Sequence, residues 1–188
     1  MPGPIVEVGD DLVLRTVERE DTAFVQRLFT DPYARLGLHE HNAKSEHEVE
    51  ELVEEQVEDH DNVGYMVCRD AEDADYDHPD EDETTRVGFA YAHHVDRDRP
   101  SLVCWVAPEH RDGDVGAAAL DLVVDAVFRT YDAHSLGTTV LDGDDFAREA
   151  FEAVGFTAEG RGREVWFVEG EYRDALEYGL LREEWGGA

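Results

Sequence analysis

Arg111, Gly113 and Gly116 lie between an apolar run and an amphipathic segment, in the stretch SLVCWVAPEHRDGDVG. An arginine offers a charged fork to phosphate or carboxylate oxygens. Glycine lets the backbone reach left-handed conformations and approach a ligand closely. The first amides of a helix lack intrahelical acceptors, and the helix dipole favours negative charge beside them. Strand, glycine-bearing turn and helix start together make an arrangement that can clasp a phosphate-rich ligand.

A few other side chains could do chemistry. His93 and His94 close an apolar run and titrate in the range where a proton is taken or given near neutrality. Glu109 stands next to the glycine turn as a second candidate base. Asp144 precedes an amphipathic run, where it reads as a helix N-cap that could also face a ligand. Cys68 and Cys104 are the only cysteines. They lack metal-ligand spacing and read as reduced thiols in strands. His39, His41 and His47 match no tetrahedral pattern, so no metal is expected.

The elements that must position these groups follow from periodicity. Leu12–Val17 alternates as a strand, and Glu20-Asp21-Thr22 opens a helix running to Phe29. Asp31-Pro32 reads as its breaker, followed by a loop with His39 and His41. Ser45 and Glu48 form a capping box. Val49, Leu52, Val53 and Val57 then stripe a helix that ends near His60. Tyr65–Arg69, Val87–His93 and Leu102–Val106 read as consecutive strands. Asp70–Glu83, between the first two, reads as a solvated acidic loop with almost nothing to bury. A helix over Val115–Tyr131 has Leu120, Val123, Val124, Val127 and Phe128 on one face. The strand Gly137–Leu141 follows, then a helix striped by Phe146, Ala150, Phe151 and Val154 and stopped by Gly155. Strands around Glu164–Val168 and Ala175–Leu181 meet at a turn over Glu169-Gly170-Glu171. With no repeat and no linker, residues 1–188 read as one α/β domain. Its sheet is expected to be mixed, with a right-handed parallel crossover in the middle and about four helices.

The chain has 188 residues, 47 acidic and 16 basic, for a formal net charge of −31, and Lys44 is its single lysine. Without a basic stripe to displace counterions, nucleic acid is not an expected partner. No apolar run is long enough to span a bilayer, and the N-terminal stretch lacks the pattern of a signal peptide, so a cytoplasmic protein is expected. The acidity suits a cytoplasm of molar salt, where the Debye length is about 3 Å and self-repulsion is screened.

Three stretches in order resemble the GNAT N-acetyltransferase superfamily: CWVAPEHRDGDVGAAAL, DDFAREAFEAVGF and GEYRDALEYGLLREEW. The closing pattern of Tyr172, Asp174, Tyr178, Leu181 and Trp185 is most similar to the RimJ/RimL branch, which acetylates N-terminal amines of ribosomal proteins. That branch also includes many small-molecule amine acetyltransferases. The resemblance implies a mixed central sheet in which two parallel neighbours splay apart, and acetyl-CoA as co-substrate. Trp105, Val106 and Ala107 at the strand end would meet the pantetheine arm. Arg111, Asp112, Gly113, Asp114, Val115, Gly116 and Ala117 would wrap the diphosphate, with Asp144 opposite. An amine acceptor, a protein N-terminus or a small molecule, would attack the thioester directly. His93, His94 or Glu109 would take its proton. A homodimer through the last strands is compatible with the pattern, although no exposed apolar stripe is expected to demand one. The family loop has glycine where Asp114 stands. Its second motif usually has asparagine at Asp144, a small hydroxyl residue at Ala147 and often tyrosine at Phe151. These departures admit one alternative, a non-catalytic relative that keeps the fold as a binding module.

Overall fold

The computed structural model describes residues 2–38, 40, 42–58 and 61–186. The chain runs β1 (Ile5–Val8), β2 (Val13–Thr16), α1 (Thr22–Thr30), α2 (Pro32–Gly37), α3 (Glu46–Glu58), β3 (Asn62–Asp70), β4 (Thr84–His93), β5 (Ser101–Val106), α4 (Val115–Thr130), β6 (Ser135–Leu141), α5 (Asp145–Ala153), β7 (Thr157–Val168) and β8 (Glu171–Leu181). One eight-stranded sheet has the order β1-β2-β3-β4-β5-β6-β8-β7. Every neighbouring pair is antiparallel except β5 and β6. This is the expected mixed sheet, with the parallel crossover made by α4.

Alternation along the strands sends side chains to two faces. One core packs Leu12, Leu14, Val67, Ala90, Leu102 and Val106 against Leu120, Val123, Val124, Val127 and Phe128 of α4. The stripe expected on that helix is fully buried. On the opposite face Phe89, Tyr91 and Trp105 meet Val25, Leu28 and Phe29 of α1 and Val49 and Val53 of α3. The Ser45–Glu48 capping box forms at α3, with the Ser45 amide 2.8 Å from Glu48 Oε2. His39, His41 and His60 lie outside the described residues, as does the side chain of Val57.

Several expectations need correction. Asp31-Pro32 ends α1 but also starts α2. Asp31 Oδ1 accepts the amides of Tyr33 at 3.0 Å and Ala34 at 3.4 Å, and proline suits the first helical position because its missing N–H would have no acceptor there. The described residues hold five α-helices, in line with the about four expected. The N-terminal residues add an edge strand, β1, on β2.

The acidic loop is not merely solvated. Arg15, 0% exposed, donates Nη1 to the carbonyls of Gly3 and Tyr76, Nη2 to the Asp75 carbonyl, and an ion pair to Asp70 at 2.7 Å. What the loop supplies is carbonyl oxygens for a buried guanidinium, a role that apolar patterning cannot display.

Finally, β7 is much longer than expected, and the hairpin closes through positive φ at Glu169 and Gly170. It carries Val165, Phe167 and Tyr172 exposed, so an apolar patch does exist on the last strands.

Candidate functional site

β5 and β6 pair only at Ser101 and Gly137. Beyond that point the two parallel strands diverge, and Thr138 Oγ1 donates to the Leu102 carbonyl at 2.8 Å where a ladder bond is lost. The gap is a narrow cleft lined by Val103, Cys104, Trp105 and Val106 on one side and Thr138, Thr139, Val140 and Leu141 on the other. α5 closes one flank through Phe146, Ala147 and Phe151, and α2 closes the other through Tyr33 and Ala34.

At the open end, Ala107 leads into a 3-10 turn over Pro108–His110, and the loop then runs to α4. Gly113 has φ +52°, and a Cβ there would meet nothing within 4 Å, so its glycine serves the backbone conformation. Gly116 serves packing, since a Cβ on it would stand 2.8 Å from Phe146 Cζ. Asp114 takes the N-cap position of α4 but makes no side-chain capping bond, and it is exposed. The first-turn amides of α4 thus keep their donors uncapped by that carboxylate. Asp112, Val115 and Ala117 complete the turn around them without lining the cleft.

Arg111 does line it, and its position is specific. Its Nε donates to the Val106 carbonyl at 2.8 Å, and its Nη2 donates to Asp31 Oδ2 at 2.8 Å. Its guanidinium lies 5.3 Å from the Phe146 ring centroid. Trp105 Nε1 donates to the same Asp31 oxygen at 3.3 Å. Arg111 therefore occupies the strand-end carbonyl and bridges β5 to α2. Asp144 faces the cleft as well and caps α5, accepting the Ala147 amide at 3.1 Å. Burial pushes the Asp144 carboxyl above the ordinary aspartate value, although the Ala147 amide and Arg111 pull against that. Burial likewise pushes the Cys104 thiol up to about 12. The Cys104 thiol therefore stays protonated at neutral pH and is no nucleophile.

The three candidate bases fall in different places. His93 pairs with Ser101, the residue at which β5 and β6 part. It is half-buried, stacks edge-on against Tyr91 at 4.2 Å, and lines a second, small cavity with Phe29, Leu38, Glu40, Leu52, Phe89 and Tyr91. Tyr91 and Phe89 of that cavity pair with Val103 and Trp105 of the cleft. Adjacent strands, about 4.8 Å apart, thus form the neighbouring walls of the two spaces. His94 is exposed at the strand end with φ 56° and lines neither cavity. Glu109 is exposed and ion-paired to Arg27 at 2.6 Å, and the Arg27 hydrogen bond pulls its carboxyl down to about 2. A carboxylate held so acidic is a poor proton acceptor at neutral pH, and it does not line the cleft.

Sequence reasoning missed Asp31, Tyr33, Phe146 and Thr138 at the cleft. Asp-Pro before Tyr-Ala carried the Asp31 signal as a cap with proline at the first helical position. Nothing local marks a carboxylate that meets an arginine far along the chain.

An acetyltransferase (GNAT) domain model matches residues 11–157. The spermidine N(1)-acetyltransferase of Escherichia coli is 23% identical over 172 residues, which is 92% of this chain and 87% of that one. YdaF of Bacillus subtilis, described as a ribosomal N-acetyltransferase, is 26% identical over 102 residues. That match spans 53% of this chain and only 56% of the relative. In fold, the chain superposes on spermidine N-acetyltransferase from Vibrio cholerae, solved with CoA and spermine. The TM-score is 0.77 at 21% identity, over 94% of this chain and 98% of that one.

Proposed function

The chain belongs to the GNAT acetyltransferase family and is an acetyl-CoA-dependent N-acetyltransferase, and on that premise we propose that it transfers acetyl to a primary alkyl amine inside the splay between β5 and β6. Acetyl-CoA supplies an acyl carbon already activated as a thioester. The observation that carries this reading is the opening beyond the Ser101–Gly137 pair, with uncapped first-turn amides of α4 at its mouth. Both features fit the co-substrate: amides for a diphosphate, a strand edge for an amide-bearing arm.

In this reading the amides over Asp112–Ala117 hold the diphosphate, Gly113 giving the turn and Gly116 the close approach of α4 to α5. Arg111 turns from the Val106 carbonyl to the phosphate oxygens, which match its fork at least as well as a carboxylate does. That frees the Val106 carbonyl for the pantetheine arm, with Trp105 and Ala107 shaping the edge. A main-chain amide near Val106 steadies the charge on the thioester oxygen as the amine attacks. Asp144 stays on α5 as a cap facing the arm.

The amine enters from the α1–α3 face, through the cavity floored by Phe89 and Tyr91. His93, opposite Ser101 and five residues along β5 from Val106, is our candidate to take its proton, through a chain of water. His94 and Glu109 have no such position. The cavity's apolar walls and single carboxylate, Glu40, suit a small cationic amine. The closing stretch supports placement in the ribosomal-protein branch, and the charge of −31 supports a working environment of molar salt.

Release of CoA thiol from acetyl-CoA, followed with a panel of alkyl amines, diamines and N-terminal peptides in molar KCl, tests the reading. Turnover with alkyl amines is expected. Turnover with peptides alone would transfer the acceptor to a protein N-terminus.

A further inference from the structure

The single lysine of this chain does not lie on the open surface. The Lys44 side chain is 19% exposed, and its Nζ is 2.9 Å from Glu40 Oε1. The same Nζ sits 5.7 Å from the Phe29 ring centroid. Glu40 and Phe29 both line the cavity that also contains Leu38, Leu52, Tyr91 and His93. A carboxylate beside an aromatic face is the chemistry that recognises an alkylammonium. Lys44 itself is an alkylammonium, four methylenes long. Its root is fixed, because its carbonyl accepts Gln26 Nε2 at 3.1 Å and Ser45 next to it caps α3. Its head is held by one partly exposed ion pair, which is worth little and is screened by salt.

We propose that Lys44 is an internal stand-in for the acceptor: its ammonium occupies the Phe29–Glu40 subsite, and a substrate alkylammonium must displace it to enter. This rests on the acyl-transfer reading above, and it adds the class of group the subsite takes and the side chain that competes for it. The consequence is a raised KM for small monoamines. An amine with a second cationic group, able to keep Glu40 occupied while its reacting nitrogen moves towards His93, suffers less.

Because the chain has one lysine, reductive methylation with 13C-formaldehyde gives a single lysine resonance and preserves the charge. In the full-length protein at molar KCl, that resonance is expected to be displaced by the Phe29 ring current. Titration with n-butylamine is expected to return it, saturably, to the free dimethyl-lysine position, and Phe29→Leu removes the initial displacement. In steady-state transfer to n-butylamine, Lys44→Met lowers KM several-fold, while Glu40→Gln raises it. A resonance already at the free position, or one unmoved by the amine, overturns this inference whether or not thiol is released. Displacement of Lys44 with no thiol release from any amine in the panel overturns the transferase reading and leaves the subsite standing.

Discussion

Asp31 Oδ2 lies 2.8 Å from Arg111 Nη2, joining the first residue before α2 to the arginine of the glycine loop, 80 positions later. The same carboxylate caps α2 through Oδ1 and receives the Trp105 indole. One side chain thus ties the flank of the cleft, its floor and its mouth together. In the proposed reading, Arg111, while it holds Asp31 and the Val106 carbonyl, occupies the place where a diphosphate-bearing arm would enter.

Asp31→Asn is expected to weaken that tie and keep the cap, since asparagine caps as well as aspartate. Acetyl-CoA should then bind several-fold more tightly, measured by calorimetry in molar KCl, with a small fall in Tm at neutral pH as the ion pair with Arg111 is lost. Asp31→Ala also loses the cap and should cost about 1 kcal/mol of stability. Unchanged acetyl-CoA affinity in Asp31→Asn would mean that Arg111 is no obstacle.

The Asp31 carboxyl also sets a pH dependence. Burial raises it, but the Arg111 guanidinium and the amides of Ala34 and Tyr33 outweigh burial and hold it below the ordinary value. A depressed carboxyl stabilises the fold above its unfolded value, near pH 4, and that contribution disappears as pH falls through the folded value. Acid denaturation followed by tryptophan fluorescence should be less steep below about pH 4 in Asp31→Asn than in the parent.

Asp114→Gly should leave stability within about 0.5 kcal/mol, because the carboxylate is exposed and caps nothing. It should tighten acetyl-CoA binding by removing a negative charge from the diphosphate mouth. The gain should shrink between 0.1 M and 1 M KCl, where the Debye length falls from about 10 to about 3 Å. A gain that does not depend on salt would point to backbone freedom at the turn instead of charge.

Glu109→Gln should leave the pH profile of turnover unchanged, because Arg27 already holds that carboxyl at about 2. His93→Gln should lower kcat and abolish the rise in rate with pH, if a proton leaves the amine through this imidazole. The reverse pattern, with Glu109→Gln altering the profile and His93→Gln silent, would exchange their roles.

Arg15→Met should be among the most damaging substitutions in the chain, by about 3 kcal/mol or more in urea unfolding. It takes the guanidinium away from the carbonyls of Gly3 and Asp75, leaves the Tyr76 carbonyl with the Ile5 amide alone, and leaves the buried end of the Asp70 carboxylate with the Thr84 hydroxyl but no cation. An effect under about 1 kcal/mol would show that water replaces the guanidinium and that the acidic loop is not fastened there.

Most of the architecture was legible along the chain, because helices and strands announce themselves through periodic burial. The stripe on α4, the Ser45–Glu48 box and the stop at Gly155 were all local patterns, and each forms as read. The glycine turn was legible for the same reason: left-handed backbone at Gly113 is a property of one residue. The departure at Asp114 was visible too, but its consequence was not. Whether a carboxylate caps a helix depends on a side-chain rotamer and on neighbours.

What the sequence determined by itself was therefore the order of elements apart from β1 and α2, the acidic surface and the position of the loop, all of which follow from residue type and short-range spacing. Only the tertiary structure decided that Arg111 rests on Asp31, that Arg15 gathers the acidic loop and that Lys44 turns inward to Glu40 and Phe29. Arg111–Asp31 and Arg15 with its loop join groups far apart in the chain, and the Lys44 ammonium meets the ring of Phe29 from α1. Their partners are fixed by how the sheet is ordered and how strongly its strands splay, and no periodicity in one dimension encodes that.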